Sequence, residues 1–550
     1  MKLQPRLILL PLLAAGIWMF HQSRQHRLPK VQVADENQVL LIGNGTEIES
    51  LDPHMVTGQP EHRIISAVFE GLVAPDAEDP DADAPGVAES WESSDMQHWT
   101  FHLRKGATWS DGTPLTSADF LYAWQRILSP DLGSQYAEML YLLKGAAAFN
   151  KGETKDFSTV AATAPDDHTL QLTLEGPAPY FPGMLKHYTW FPVPRHTIES
   201  FGAMTQRDTS WARPGSLVSN GAFTLKDWRI NHYLSVVKNP RYWDAERVKL
   251  QEIQFYPIDN GGAEERIFLD RQLHVTDTVP LAKIPLYRVQ KPPYFEQNPE
   301  LSVEFYRCNV TRPPLDQAKV RQALSLALDR VALVDQVTRS GNQPATGYTP
   351  PGAHPQYPPL KKLGFDPDKA RQLLAEAGFA GGKGFRKIEI LTNSSDSART
   401  VAEFFQESWK KELGIEVGIL QQDWQVYLAS QHTLKYDIAR AGWVGDYTDP
   451  LTFLDILRTG NGNNDTGWGN PEYDQRLDAS TSVVDIPQRM KILHDAEDLL
   501  LDELPIIPVY WKMDALLIRP EVQGWRTSVL GHRCYKAISL GPYQPLTETP

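Results

Sequence analysis

Cysteine is nearly absent: Cys308 and Cys534 are the only two in 550 residues, which rules out a disulfide-stapled scaffold and a cysteine-built zinc site. A single bridge between them stays open, because pairing needs a close Cα approach that sequence does not reveal. Basic residues are outnumbered, with 54 Lys and Arg against 68 Asp and Glu and a net charge of −14. Such a field opposes docking on a phosphate backbone, so no nucleic acid is expected as a partner. No apolar run near 18 residues occurs after residue 20, so the body carries no second membrane span. The local patterns His-Glu-x-x-His and Gly-x-Ser-x-Gly and the dinucleotide-loop glycines are missing. Gly378 and Lys383 approach a phosphate loop, but the spacing is one residue short and Gly384 stands where Ser or Thr is required. The chain is therefore read as a non-enzyme with no catalytic residue, cofactor or metal. A secreted hydrolase with converging carboxylates is the rival from another class.

What is present points to a folded protein of more than one domain. Hydrophobic residues make up 41% and charged residues 22%, outside the composition of disorder. The 42 prolines and 37 glycines imply many short elements joined by turns, hence a mixed α/β class. Lys2 and Arg6 precede an uncharged run from Leu7 to Phe20, a length suited to a signal peptide. Its basic downstream flank, His21 to Lys30, keeps an uncleaved inner-membrane anchor as the alternative.

Trp99, Phe101 and Leu103 alternate with polar residues and predict a half-buried strand, followed by a turn at Ser110–Gly112. Thr116 and Asp119 form a capping-box pattern before a helix through Phe120, Trp124 and Leu128. Further strands are predicted around Leu170–Leu174 and Ile253–Phe255. From Val320 to Val337, apolar residues at 320, 323, 324, 327, 328, 331 and 334 mark one core-facing helical stripe. Asp366-Pro367 opens another helix that Gly378 closes. Ala439 to Pro450 sets Arg440, Trp443 and Asp446 among small residues, as in a strand that admits a ligand to its main chain. An ordinary turn around a buried Trp is the alternative on spacing alone.

Several segments, in one order, resemble the extracellular solute-binding proteins of family 5. They are Pro85–Trp91, Trp99–Pro114 running into Ala118–Phe120, Ser219–Phe223, Lys238–Trp243, Pro313–Asp316 before Val320-Arg321, and Gly347–Pro351. The similarity spans about residues 38–530. Within the family it is nearest to the oligopeptide-binding receptors of bacterial ABC importers, through Ala439–Pro450 and Trp424.

The resemblance implies a periplasmic-binding-protein-like, two-lobed clamshell of class II with an extra inserted domain. Residues 1–37 would be leader or anchor. One discontinuous lobe would comprise 38–69, 195–301 and 513–550, the inserted domain 70–194, and the second lobe 302–512. A short extended peptide would lie between the lobes, held by main-chain hydrogen bonds. Asp446 would pair with the peptide amino terminus and Arg440 with a ligand carboxylate. Gly442 and Trp443 would give backbone and pocket contacts, and Tyr136 and Trp424 aromatic walls. Thr57 stands where relatives often carry an acid. Val444 replaces a half-cystine, and Ala398 and Thr338 replace polar groups that can meet the carboxyl end. The implied protein is a periplasmic monomer partnered by short peptides and importer membrane subunits. Receptors for murein peptides, dipeptides, nickel, haem or sugars are the alternatives within the family.

Overall fold

The computed structural model describes residues 29–546, so the apolar run 7–20 lies outside the described residues. Folded chain starts earlier than residue 38. The helix Lys30–Glu36 buries Val31 completely, and Asp35 Oδ1 lies 3.0 Å from His274 Nε2 while His274 Nδ1 accepts the Leu41 amide. Through Val31, Ala34 and Asp35 this helix packs onto the fold, although residues 30–37 fall in the segment expected to be leader or anchor.

Among the described residues, three sheets have four or more strands, beside two small two-stranded ones. The first has four strands in the order Val39–Gly43, Glu252–Tyr256, Tyr233–Lys238 and Phe223–Arg229. The second joins Ala88–Glu92, His98–Leu103, Thr169–Thr173 and Ala162–Asp166. The third, of six strands, runs Gln343–Pro344, Ile506–Leu517, Phe295–Cys308, Ile438–Val444, Ile388–Asn393 and Val417–Gln422. Trp99, Phe101 and Leu103 face the core as their alternation predicts. The helix Ser117–Leu128 follows, with the Thr116 amide donating to Asp119 Oδ2 at 2.8 Å in the expected capping box. Asp366 likewise accepts the Lys369 amide to start the helix Pro367–Glu376, and Gly378 closes it at φ +96°.

The stripe from Val320 does not form one helix. The helix Ala318–Leu326 ends, and Asp329 accepts the Ala332 amide to restart the chain into a π-helical segment, Leu333–Thr338. An Asp that captures free amide donors favours a new start over continuation. Arg330 is held to Pro508 O and Ser325 O, and the change of direction leaves Val331 exposed. The two cysteines are unbonded and separately buried. Cys308 ends a strand of the six-stranded sheet and is buried in its core, whereas Cys534 Sγ faces Pro75 O.

Two long antiparallel strands carry the chain between the bodies. Phe295–Pro299 pairs with Met513–Leu517, and Val303–Arg307 pairs with Ile506–Trp511, with a register shift between the two halves. At one end, bridges from Ile518 to Val275 and from Val275 to Ile42 join the first four-stranded sheet. At the other end the same strands form the centre of the six-stranded sheet. A bulged two-strand connection bends more readily than a continuous ladder. The facing surfaces meet: Asn260 Nδ2 donates to Asp396 Oδ2 at 2.7 Å, Ser394 Oγ to Asp259 Oδ2 at 3.0 Å, and Tyr180 stacks on Tyr447 at 5.3 Å.

Candidate functional site

The strand Ile438–Val444 has an interior side and a partly vacant side. Its full length pairs with Ser302–Cys308, but on the other side only Ile438 and Ala439 meet Ile390 and Leu391. Gly445 N donates to Leu301 O at 2.8 Å, so by the alternation of an antiparallel ladder Arg440, Gly442 and Val444 point their peptide groups to the vacant side. The Tyr427 hydroxyl donating to Arg440 O agrees with this direction. Among the described residues no strand pairs with that edge beyond Ala439. It borders a cavity of about 210 Å³.

Asp446 follows at the strand's end. Its amide donates to Thr452 Oγ1 at 2.9 Å, and Thr452 sits on the short helix Leu451–Leu454. That turn is fixed in turn by Asp449, which caps the Leu451 amide and forms a two-pronged pair with buried Arg489 at 2.6 and 2.9 Å. The Asp446 carboxylate is 7% exposed and faces the cavity, with His187 Nε2 at 3.4 Å, Thr452 Oγ1 at 3.5 Å, and the Tyr136 phenol beside it. Burial holds His187 well below its usual range, so it is neutral near pH 7 and supplies no cation. Among the described residues no Lys or Arg is ion-paired with Asp446. Burial therefore pushes its carboxyl up to about 8, against the hydrogen bonds that favour the ionised form. A buried carboxyl in this state gains most from an incoming cation.

Every sequence-predicted site residue lines this cavity: Thr57, Tyr136, Trp424, Arg440, Gly442, Trp443 and Asp446. Tyr136 packs 5.1 Å from the His187 ring and 5.9 Å from Trp443. Trp424 opens the helix Trp424–His432, stacks on Tyr427, and reaches the opposite body, where a Cβ on Gly58 would stand 3.3 Å from its Cζ2. Thr57 borders the cavity from that same opposite body. Arg440 departs from expectation. Its guanidinium grips Glu304 at 2.5 and 2.7 Å, and although burial opposes its charge, Glu304 more than offsets that and raises its pKa. A fork already filled by a carboxylate is a poor clamp for a second one.

Sequence reasoning did not find His187, His62 or Tyr188 behind Asp446, nor the polar floor where Arg307 pairs with Asp465 at 2.8 Å and donates to Gln431 Oε1 at 2.7 Å. His187 and Tyr188 are neighbours, but His62, Arg307, Gln431 and Asp465 come from separate stretches with no common spacing, so only the fold assembles the group. Among the described residues no group of three His, Cys, Asp or Glu side chains could hold a metal ion, and no helix is long and apolar enough to cross a membrane.

Comparison with known proteins adds the following. The model of bacterial extracellular solute-binding proteins, family 5 Middle, matches residues 84–465. The periplasmic oligopeptide-binding protein OppA of Escherichia coli K12 is 36% identical over 500 residues, covering 89% of this chain and 90% of that one. Among solved structures, Haemophilus influenzae OppA in complex with RPPGFSPFR superposes with a TM-score of 0.87 at 29% identity, covering 92% of this chain and 99% of that one. The Escherichia coli murein tripeptide-binding protein MppA gives 0.86 at 32% identity, covering 91% and 98%. The unliganded open form of MppA, also at 32% identity and covering 92% and 98%, gives only 0.61. With sequence similarity equal, the difference lies in how the bodies are arranged, and the arrangement here is the closed one.

Proposed function

Because the chain belongs to the bacterial extracellular solute-binding proteins of family 5, we propose that it is the receptor of an ABC importer, taking a short extended peptide between two lobes. The observation that carries this reading is Asp446, a buried carboxyl that among the described residues has no Lys or Arg partner and stands at the end of a strand with a vacant edge. A peptide satisfies both features at once. Its α-ammonium supplies the missing cation, and its main chain adds to the edge at Gly442 and Val444, using groups common to all peptides. Closure removes water from the ion pair and strengthens it.

In this reading Tyr136, Trp424 and Trp443 wall the side-chain pockets and Thr57 forms the rim of the opposite lobe. Arg440 acts together with Glu304 as a fixed pair, not as a carboxylate clamp. The lobe containing the first sheet takes 38–69, 195–301 and 513–550, extended at its start to include the helix Lys30–Glu36. The inserted domain takes 70–194 and the second lobe 302–512. The relative OppA is named as periplasmic. Export of this chain through residues 7–20, cleaved or retained as an anchor, is the matching proposal. The receptor works as a monomer and does no chemistry on its ligand.

Titration calorimetry with tri-alanine tests the assignment. Native protein should bind, and Asp446→Asn should lose about 3 kcal/mol, roughly a hundredfold in affinity. Equal affinity in the two proteins would remove Asp446 from the site, and absence of binding by any peptide would remove the peptide itself.

A further inference from the structure

A second cavity of about 550 Å³ adjoins the first, sharing Pro60, Trp424, Arg440 and Lys512 with it. Its place along a bound peptide follows from the recognition strand. Arg440 to Val444 spans ~13 Å at roughly 3.3 Å per residue, so an extended ligand whose first residue lies level with Val444 brings its fifth residue level with Arg440, and a long side chain on the third or fourth residue reaches the adjoining space. The larger space therefore receives side chains from the middle of the peptide onward.

Every cation lining that space is already matched by a carboxylate. Arg440 is paired with Glu304, Arg63 with Asp277, and Lys512 with Glu300 at 3.2 Å. Three more carboxylates, Asp259, Asp396 and Asp514, line it with no further lysine or arginine in its wall, although Arg63 and Lys512, already paired, also act on Asp514. Asp259 and Asp396 accept hydrogen bonds from Ser394 and Asn260. The nearest guanidinium to Asp514 is that of Arg533, which is not part of the cavity wall, at 3.7 Å. Burial, and then the neighbouring Glu300, push the Asp514 carboxyl up. Glu300 Oε2 faces Lys512 Nζ at 3.2 Å but outside hydrogen-bond geometry, and Arg533, Arg63 and Lys512 together do not offset what burial and Glu300 do to the Asp514 carboxyl.

We infer that this cavity selects peptides with a basic side chain at the third or fourth residue, and that Glu300 and Asp514 are the residues that decide it. A lysine or arginine head entering here would meet two under-compensated carboxylates. An acidic side chain would meet only cations that are already engaged, and would add a like charge to the wall. The inference rests on the peptide-receptor reading and adds to it a preference that main-chain pairing cannot supply.

The test is calorimetry on the full protein with Ala-Ala-Lys-Ala, Ala-Ala-Ala-Ala and Ala-Ala-Glu-Ala. The expected order of affinity is lysine, alanine, glutamate, with at least about tenfold between the first and last. In Glu300→Gln/Asp514→Asn that ratio should shrink to within about threefold, while Ala-Ala-Ala-Ala binds as before. Asp514→Asn alone, on the partly exposed member, should move the ratio the same way should the double variant not fold. Equal affinity of the three peptides for the native protein overturns this inference alone. So does a lysine preference untouched by the folded variants. Failure of all three peptides to bind overturns the receptor reading and this inference with it.

Discussion

Asp446 concentrates the energetics of the site in one ionisable group. Its carboxyl is pushed up to about 8 in the empty cleft, against an ordinary Asp value of about 3.9. Near pH 7 a receptor resting in this closed arrangement holds the proton, and an arriving ammonium drives it off. Calorimetry in buffers of different ionisation enthalpy should register release of close to one proton per peptide at pH 7, with affinity climbing from pH 6 to 8. Binding without proton release would contradict this account. The same shift carries a stability cost of definite sign. A carboxyl whose folded pKa exceeds its unfolded value contributes its stability below about pH 4, and that contribution is lost as pH rises to about 8. The ligand-free Asp446→Asn protein should therefore melt above the native one at pH 8, the gap closing toward pH 4. A residue kept in spite of that cost is kept for what it binds.

At the level of elements, local chemistry predicts well where it acts alone. The capping box at Thr116 and the Asp366-Pro367 start need only neighbouring residues, and both were legible. The stripe from Val320 crosses a break that its spacing does not show, because periodicity records which residues are apolar, not where the backbone restarts. Asp329 as a cap and buried Arg330 supply that break. The strand Ile438–Val444 is legible from the sequence, but its vacant edge is not, since strand pairing is a long-range property. That edge predicts a measurable effect on the ligand side. N-methylating the peptide amide that faces Gly442 removes one donor and adds bulk at the ladder, and should weaken binding about tenfold or more. Unchanged affinity would show that the main chain does not pair there.

Over the whole molecule, function depends on two bodies meeting around a ligand through a pair of bulged strands. Contacts away from the peptide help to hold the closed form, among them the stacked Tyr180 and Tyr447 with Arg489 over the Tyr180 ring at 5.1 Å. Truncating Tyr180→Ala removes an aromatic pair worth about 1 kcal/mol. Apparent affinity for every peptide should then fall by roughly three- to tenfold, with the ranking among peptides unchanged, because only the open–closed balance has moved. Small-angle scattering should show a smaller ligand-induced contraction. A change of ranking would place Tyr180 in ligand recognition instead.

The amino-acid order by itself indicates a mixed α/β class and many of the elements, through nearest-neighbour sterics and side-chain periodicity. The two-lobed fold and the seven residues expected around a ligand are what the resemblance to a family with the same motifs in the same order implies. The order could not settle which charges would be spent on one another. Arg440 reads as a free cation until residue 304, a strand away, is seen to occupy it. Asp446 reads as one carboxylate among many until the closed bodies strip it of water and leave it without a cation. Desolvation and pairing depend on distances between residues far apart in the chain, and those distances exist only once the chain has folded.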